Sequence, residues 1–189
     1  MSEYIVTVMA RDRVGIVRDV SRAMSGIGGN ITHVSQTVMR GYFTLIISVE
    51  TPEEITQQEI KQAIENQGKP GELEVNIRPF EEASAAEHAP SERFTLSLQG
   101  NDSKGIISSI TGYLADKNIN IDDFYAYALE GRFVMLVQVS IPCGADIEEL
   151  QVSLEKLGAQ YGLVVHLQHQ EIFRATSGVE PVAGIQSKC

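Results

Sequence analysis

The chain has 189 residues, of which 43% are hydrophobic and 21% charged, which is enough apolar material for one domain or two small ones and too much for a disordered chain. Its 25 acidic residues against 15 basic ones leave a net charge of −10, which argues against a protein built to neutralise a nucleic-acid backbone and predicts no direct nucleic-acid partner. No apolar run approaches the roughly 20 residues that cross a bilayer, and Met1-Ser-Glu-Tyr4 has no basic stretch leading into an apolar one, so the expectation is a cytoplasmic protein with no membrane partner.

Hydrophobic periodicity then orders the chain. Tyr4, Val6 and Val8 alternate with Ile5 and Thr7, which predicts an opening strand. Ile16, Val17, Val20, Met24 and Ile27 recur at helical spacing, and Gly28-Gly29 offers a left-handed stop for that helix. Ile31 to Val38 and Phe43 to Val49 are β-rich runs joined at Arg40-Gly41, a hairpin pattern. Ile60, Ala63 and Ile64 mark a second helix ending at Gly68, and Leu73, Val75 and Ile77 close as a strand. The same order then returns. A shift of 90 residues without gaps places 14 identities over the 74 positions from Tyr4 to Ile77, among them Asp12 on Asp102, Gly15 on Gly105, Asn30 on Asn120 and Gly41 on Gly131. That period is the size of a small domain rather than of a solenoid unit.

The reading is therefore two copies of one β-α-β-β-α-β domain, residues 1–80 and 93–174. Each is an α+β, ferredoxin-like unit whose four-stranded antiparallel sheet carries two helices on one face. Residues 81–92 are acidic, rich in Ala and Ser, and contain Pro90, so they read as a linker. Residues 175–189 have no periodicity and read as a flexible tail. Ile5, Ile46, Val134 and Leu136 fall on the face away from the helices, as scattered surface side chains or as a surface that meets another sheet.

Most chemistry this fold can host is missing its residues. The first loops, Arg11-Asp-Arg-Val-Gly15 and Asn101-Asp-Ser-Lys-Gly105, lack the paired thiolates of a soft-metal chaperone. Tyr125 and Tyr127 sit on a strand, but Ser35 and Thr37 replace them in the first copy, and no basic surround supports RNA stacking. Val14-Gly-Ile-Val-Arg18 faintly resembles an acylphosphatase phosphate cradle, but Ser108 stands where a second Arg18 would be. His166 and His169 are three apart on a strand and point to opposite faces, so they cannot chelate together. Cys143 and Cys189 are far from metal spacing and read as free thiols. No metal, no cofactor and no catalytic residues are implied; the expectation is a non-enzyme.

What remains is a duplicated loop: Asp12-Arg-Val-Gly-Ile-Val17 with Gly29-Asn-Ile31, and Asp102-Ser-Lys-Gly-Ile-Ile107 with Ile119-Asn-Ile-Asp122. Gly15 and Gly105 allow close backbone approach, and the helix start after each presents free amides suited to a carboxylate. Asp12 and Asp102 suit an α-ammonium, and Asn30 and Asn120 offer a donor and an acceptor. The alternative role of each Asp is a helix N-cap, and Asn-Ile before a strand is also ordinary turn chemistry.

These motifs, twice and in register, resemble the ACT domain, the small-molecule sensing module of amino-acid metabolism, over Tyr4 to about Phe80 and Phe94 to about Phe173. Two such domains and little else resemble the glycine cleavage system transcriptional repressor family. The resemblance implies a small amino-acid ligand, glycine or serine first, held in the loop against a neighbouring domain. The candidate binding residues are Asp12, Val14, Gly15, Ile16, Asn30 and Ile31 in one copy, and Asp102, Lys104, Gly105, Ile106, Asn120 and Ile121 in the other. One copy can have lost binding, since Val14 becomes Lys104. The resemblance also implies a protein partner, a transcription activator of glycine metabolism or a metabolic enzyme. The two copies are expected to pack side by side, and the chain to form a homodimer.

Overall fold

The computed structural model describes residues 1–82 and 90–171. The tail expected at 175–189 and most of the linker expected at 81–92 lie outside the described residues. Each copy forms its own compact unit with its own core.

The first unit runs β1 (Ser2–Arg11), α1 (Ile16–Gly26), β2 (Asn30–Met39), β3 (Tyr42–Thr51), α2 (Gln57–Glu65) and β4 (Glu74–Pro79). The second repeats it as β5 (Ser91–Asn101), α3 (Ile106–Asp116), β6 (Asn120–Leu129), β7 (Arg132–Pro142), α4 (Ile147–Ala159) and β8 (Leu163–His169). The sheets are ordered β2-β3-β1-β4 and β6-β7-β5-β8, with every neighbouring pair antiparallel. This is the ferredoxin-like arrangement that the periodicity predicts.

Alternation along the central strands decides the core. Val6, Val8, Leu45, Ile47 and Val49 are buried against Ile16, Val20 and Met24 of α1 and Ile60 and Ile64 of α2. In the second unit Leu96, Leu98, Met135, Val137 and Val139 pack with Ile106, Ile110 and Leu114 of α3 and Leu150 and Leu154 of α4. Ile46, one residue out of phase, is exposed.

The punctuation is local chemistry. The β2–β3 turn has Arg40 at φ 51° and Gly41 at φ 79°, and the β6–β7 turn has Glu130 at 51° and Gly131 at 77°, the two positive values that a right-handed hairpin twist favours. Helix α1 stops where Gly28 turns left-handed and the Gly29 amide donates to the Met24 carbonyl at 2.8 Å. In the second unit Asn118 takes the same conformation, and Ile119 donates to Leu114 at 2.9 Å. His169 packs edge-on to Phe94, whereas His166 pairs with Ser97, so the two histidines alternate as expected. Cys143 is disulfide-bonded, which corrects the expectation of a free thiol there.

Candidate functional site

Each unit turns from its first strand into its first helix through the duplicated loop. The Asp12 amide donates to the Gly41 carbonyl and the Asp102 amide to the Gly131 carbonyl, both at 2.9 Å. The loop is thereby pinned to the hairpin tip at one end of the sheet. Gly15 (φ 96°) and Gly105 (φ 90°) are the N-cap residues of α1 and α3, and no side chain caps either helix. The first intrahelical bonds are Asp19 to Gly15 and Ser109 to Gly105, each 2.9 Å, so the amides of residues 16–18 and 106–108 precede the ladder. The capping role considered for Asp12 and Asp102 is therefore not the one they take. Both are exposed beside an uncapped helix start, and a left-handed glycine occupies the cap position instead.

The surroundings of the two loops differ. In the first unit Arg13 donates through Nη1 to Asp19 Oδ2 at 2.8 Å and through Nε to Glu72, and Arg18 Nη2 donates to Asp19 Oδ1 at 2.8 Å. Two cations and two carboxylates close on one another. Arg18 and then Arg13 hold the buried Asp19 carboxyl below its usual range. The Lys69 amide and then Arg13 do the same for Glu72. The Arg18 guanidinium also lies over the loop, with Nη2 only 3.2 Å from where a Cβ on Gly15 would stand. Val14, at the tip, is 99% exposed.

Ninety residues on, Arg13, Arg18, Asp19 and Glu72 become Ser103, Ser108, Ser109 and Gly162. The network is gone. Ser109 instead shares a hydrogen bond with the Tyr161 hydroxyl at 2.6 Å, and nothing but that hydroxyl comes within 4 Å of a Cβ built on Gly105. The space left is an open cleft of about 560 Å³, lined by Asp102, Ser103, Ser108 and Thr111 around Gly105 and floored by Ile106 and Phe133. A carboxylate, three hydroxyls and a free helix start surround an apolar floor. The cleft is lined by Asp102, Gly105 and Ile106, which the sequence analysis named as binding residues, and by Ser103, Ser108 and Thr111, which it did not; Ser103 and Ser108 stand where the first copy has Arg13 and Arg18.

The structure does not bring the whole expected set together. Asn30 pairs with Glu50, and Glu50 pairs with Glu3 at the start of β1. The loop follows Arg11 at the other end of that strand, eight residues or roughly 27 Å away at about 3.4 Å per residue. Asn30 and Ile31, and likewise Asn120 and Ile121, thus stand at the far end of their own sheet from Asp12 and Asp102. Asn120 also donates to Asp122 Oδ1 at 2.8 Å. Lys104 is exposed at the loop tip. Among the described residues, no group of three His, Cys, Asp or Glu side chains is placed to hold a metal, and no helix is long and apolar enough to cross a membrane.

The depressed carboxyls of the first unit carry a pH dependence. Their stabilisation is complete above the ordinary carboxylate range, near pH 4, and is lost as pH falls through the lowered values. Acidification below about pH 4 is expected to weaken exchange protection in α1 through Asp19 and Glu72, whose counterparts Ser109 and Gly162 do not titrate there. Hydrogen exchange of Val20–Met24 across pH 2 to 7 checks this, and Asp19→Asn should flatten the profile.

A duplicated βαββαβ unit, with a left-handed glycine at the start of each first helix, defines a tandem ferredoxin-like fold. The ACT domain profile matches residues 3–78 and 92–168, and the chain belongs to the ACT domain family. A UPF0237 protein of Methanococcus maripaludis is 36% identical over 84 residues, 44% of this chain and 93% of the relative. A UPF0237 protein of Listeria innocua is 40% identical over 84 residues, 44% of this chain and 94% of the relative. Among solved structures, an unknown protein from Galdieria sulphuraria superposes with a TM-score of 0.73 at 25% identity, covering 89% of this chain and 98% of that one. A protein provisionally named a glycine cleavage system transcriptional repressor superposes at 0.67 and 16% identity, covering 88% and 96%, a likeness of fold.

Proposed function

We propose that the protein is a non-catalytic sensor of a small amino acid and that the second unit carries the ligand. The observation behind this is the difference between the loops. In the first, Arg13, Arg18, Asp19 and Glu72 neutralise one another and Arg18 lies over Gly15. In the second, an uncapped helix start opens on a cleft that also presents Asp102 and several hydroxyls. An amino acid fits that chemistry. Its carboxylate takes the amides at the start of α3, its ammonium takes Asp102, and a small side chain, as in glycine or serine, meets Ile106, Phe133 and the serine hydroxyls. Asn30 and Asn120 could join such a ligand only from a neighbouring domain, because each lies at the far end of its own sheet.

Such a sensor passes its signal to another protein. The resemblance to glycine cleavage repressors points to a transcription activator of glycine metabolism as that partner, with ligand shifting the affinity between them; an enzyme of amino-acid metabolism is the second candidate. Isothermal titration with glycine and serine tests the site. Asp102→Asn is expected to weaken binding at least tenfold and Asp12→Asn to leave it unchanged, since only Asp102 faces the cleft. Ser108→Arg, which installs the first unit's residue, should block binding. Binding unaffected by Asp102→Asn would overturn the site, and the absence of binding by any common amino acid below millimolar concentration would overturn the sensing role. Acyl phosphate turnover lost in Arg18→Ala would make the protein an enzyme instead; with Arg18 tied to Asp19, no turnover is expected. Pull-downs with and without glycine, beside a DNA mobility-shift assay, separate the partner classes.

A further inference from the structure

The chain is acidic, but one end of the first unit is not. The loop and the first turns of α1 carry Arg11, Arg13, Arg18 and Arg22, and the hairpin tip adds Arg40. At the same positions the second copy has Asn101, Ser103, Ser108, Gly112 and Glu130. The same backbone therefore forms without these arginines, and the fold does not require them. The start of β4 adds Lys69, Glu72 and Glu74 to this end. With Asp12 and Asp19, six cations stand against four carboxylates, a local charge of +2, while the rest of a chain of net charge −10 carries −12.

Folding mixes these cations with exposed apolar side chains. Arg11 and Met39 both stand opposite Tyr42 in the sheet. The Arg11 guanidinium lies 4.3 Å from the centre of the Tyr42 ring, a stacked arrangement that holds its fork in place. Met9 lies two residues from Arg11 on the same face of β1. The Asp12 amide ties the loop to Gly41, next to Arg40. Met9, Met39 and Tyr42 are 43%, 68% and 45% exposed, and Val14 crowns the loop at 99%. Arg11 and Arg40 are exposed and form no ion pair among the described residues. Arginine, methionine and tyrosine are the residue types that protein interfaces concentrate.

We propose that this end of the first unit docks an acidic segment of a partner protein, one that carries apolar side chains between its carboxylates. The inference rests on the reading that the protein signals through a partner, and it divides the labour: the second unit holds the ligand and the first unit holds the partner. The free guanidinium forks of Arg11 and Arg40 match carboxylates, and Met9, Met39 and Tyr42 receive the apolar side chains. A nucleic acid fits less well. It has no apolar counterpart for those residues, and a long polyanion running past the +2 end meets a surface of opposite balance. The chain's own Glu81 and Glu82 do not neutralise the cations. They follow Phe80, whose amide donates to the Glu3 carbonyl at the opposite end of β1 from Arg11.

Fluorescence anisotropy on the full chain tests this with a fluorescein-labelled Glu-Leu-Asp-Phe repeat peptide as probe. The wild type is expected to bind it, and added salt to weaken the complex. Arg11→Asn with Arg40→Glu installs the residues of the second copy, where Glu130 already takes the same φ of 51°. This double variant should bind the peptide about tenfold more weakly while its circular dichroism stays native. Arg78→Glu, which alters an exposed cation opposite Ile5 and away from the hairpin tip, should leave binding unchanged. A repeat with serine in place of Leu and Phe should also bind about tenfold more weakly. No binding of the Glu-Leu-Asp-Phe repeat, or equal binding by the double variant, would overturn the proposal. So would equal binding of the serine repeat or of an oligothymidylate, the behaviour of an unspecific anion surface. Glycine titration of the same double variant keeps the two readings apart: a docking surface that fails leaves the cleft at Asp102 intact, and a cleft that binds no amino acid leaves the peptide result standing.

Discussion

Leu96→Ala is expected to destabilise the second unit by about 2–5 kcal/mol, the range for removing a leucine from a core that relaxes only partly. Leu96 is fully buried in the middle of β5, between β7 and β8, facing α3 and α4. A small domain is stable by only about 5–15 kcal/mol, so the loss takes much of its margin. The first unit has a separate core around Val6, Leu45 and Ile60, and its stability should change little. Hydrogen exchange resolves this: protection should fall in Ile110–Leu114 and persist in Val20–Met24. Equal loss in both segments would show that the two units unfold as one.

Gly100→Ala should destabilise the same unit by about 1–3 kcal/mol, the cost of overpacking. A Cβ at Gly100 would stand 2.5 Å from the Gly162 carbonyl oxygen and 2.9 Å from Leu163 Cδ2. The first contact is with backbone, which cannot rotate away. The corresponding residue of the first unit is Ala10, and it is buried without conflict. There the reverse change, Ala10→Gly, should cost only about 0.5–1 kcal/mol through strand flexibility. Thermal unfolding of the two variants, read by circular dichroism, should rank Gly100→Ala as the more damaging. The opposite order would mean that Gly162 and its turn move aside at little cost.

The lesson from position 10/100 recurs at the candidate site. A shift of 90 residues shows which positions correspond, but equivalence in the repeat is not equivalence in environment. Asp12 and Asp102 match, as do Gly15 and Gly105, and the backbone of both loops is indeed the same. What separates them is the second layer, Arg13, Arg18, Asp19 and Glu72 against Ser103, Ser108, Ser109 and Gly162. Glu72 is 59 residues from Arg13 in the chain, and no local pattern announces that the two meet. The cap assignment failed for a related reason. Asp is a favoured cap residue type, but Asp12 and Asp102 lie four residues before Ile16 and Ile106, and the left-handed Gly15 and Gly105 take the cap position instead.

By itself the sequence determined the repeat, the order of strands and helices, the hairpin turns and the faces that pack. All of these follow from interactions between residues a few positions apart: the periods of 2 and 3.6, and the backbone preferences of glycine and asparagine. Tertiary structure alone decided which of those residues share a place. Antiparallel pairing runs β2 back beside β3, so Asn30 is carried to the end of the sheet opposite Asp12 although the same motif set names both. Folding also brings Glu72 to Arg13 and closes one loop with charge, while Gly162 at the same place leaves the other open. Those contacts join residues far apart in the chain, and only the folded backbone sets the distance between them.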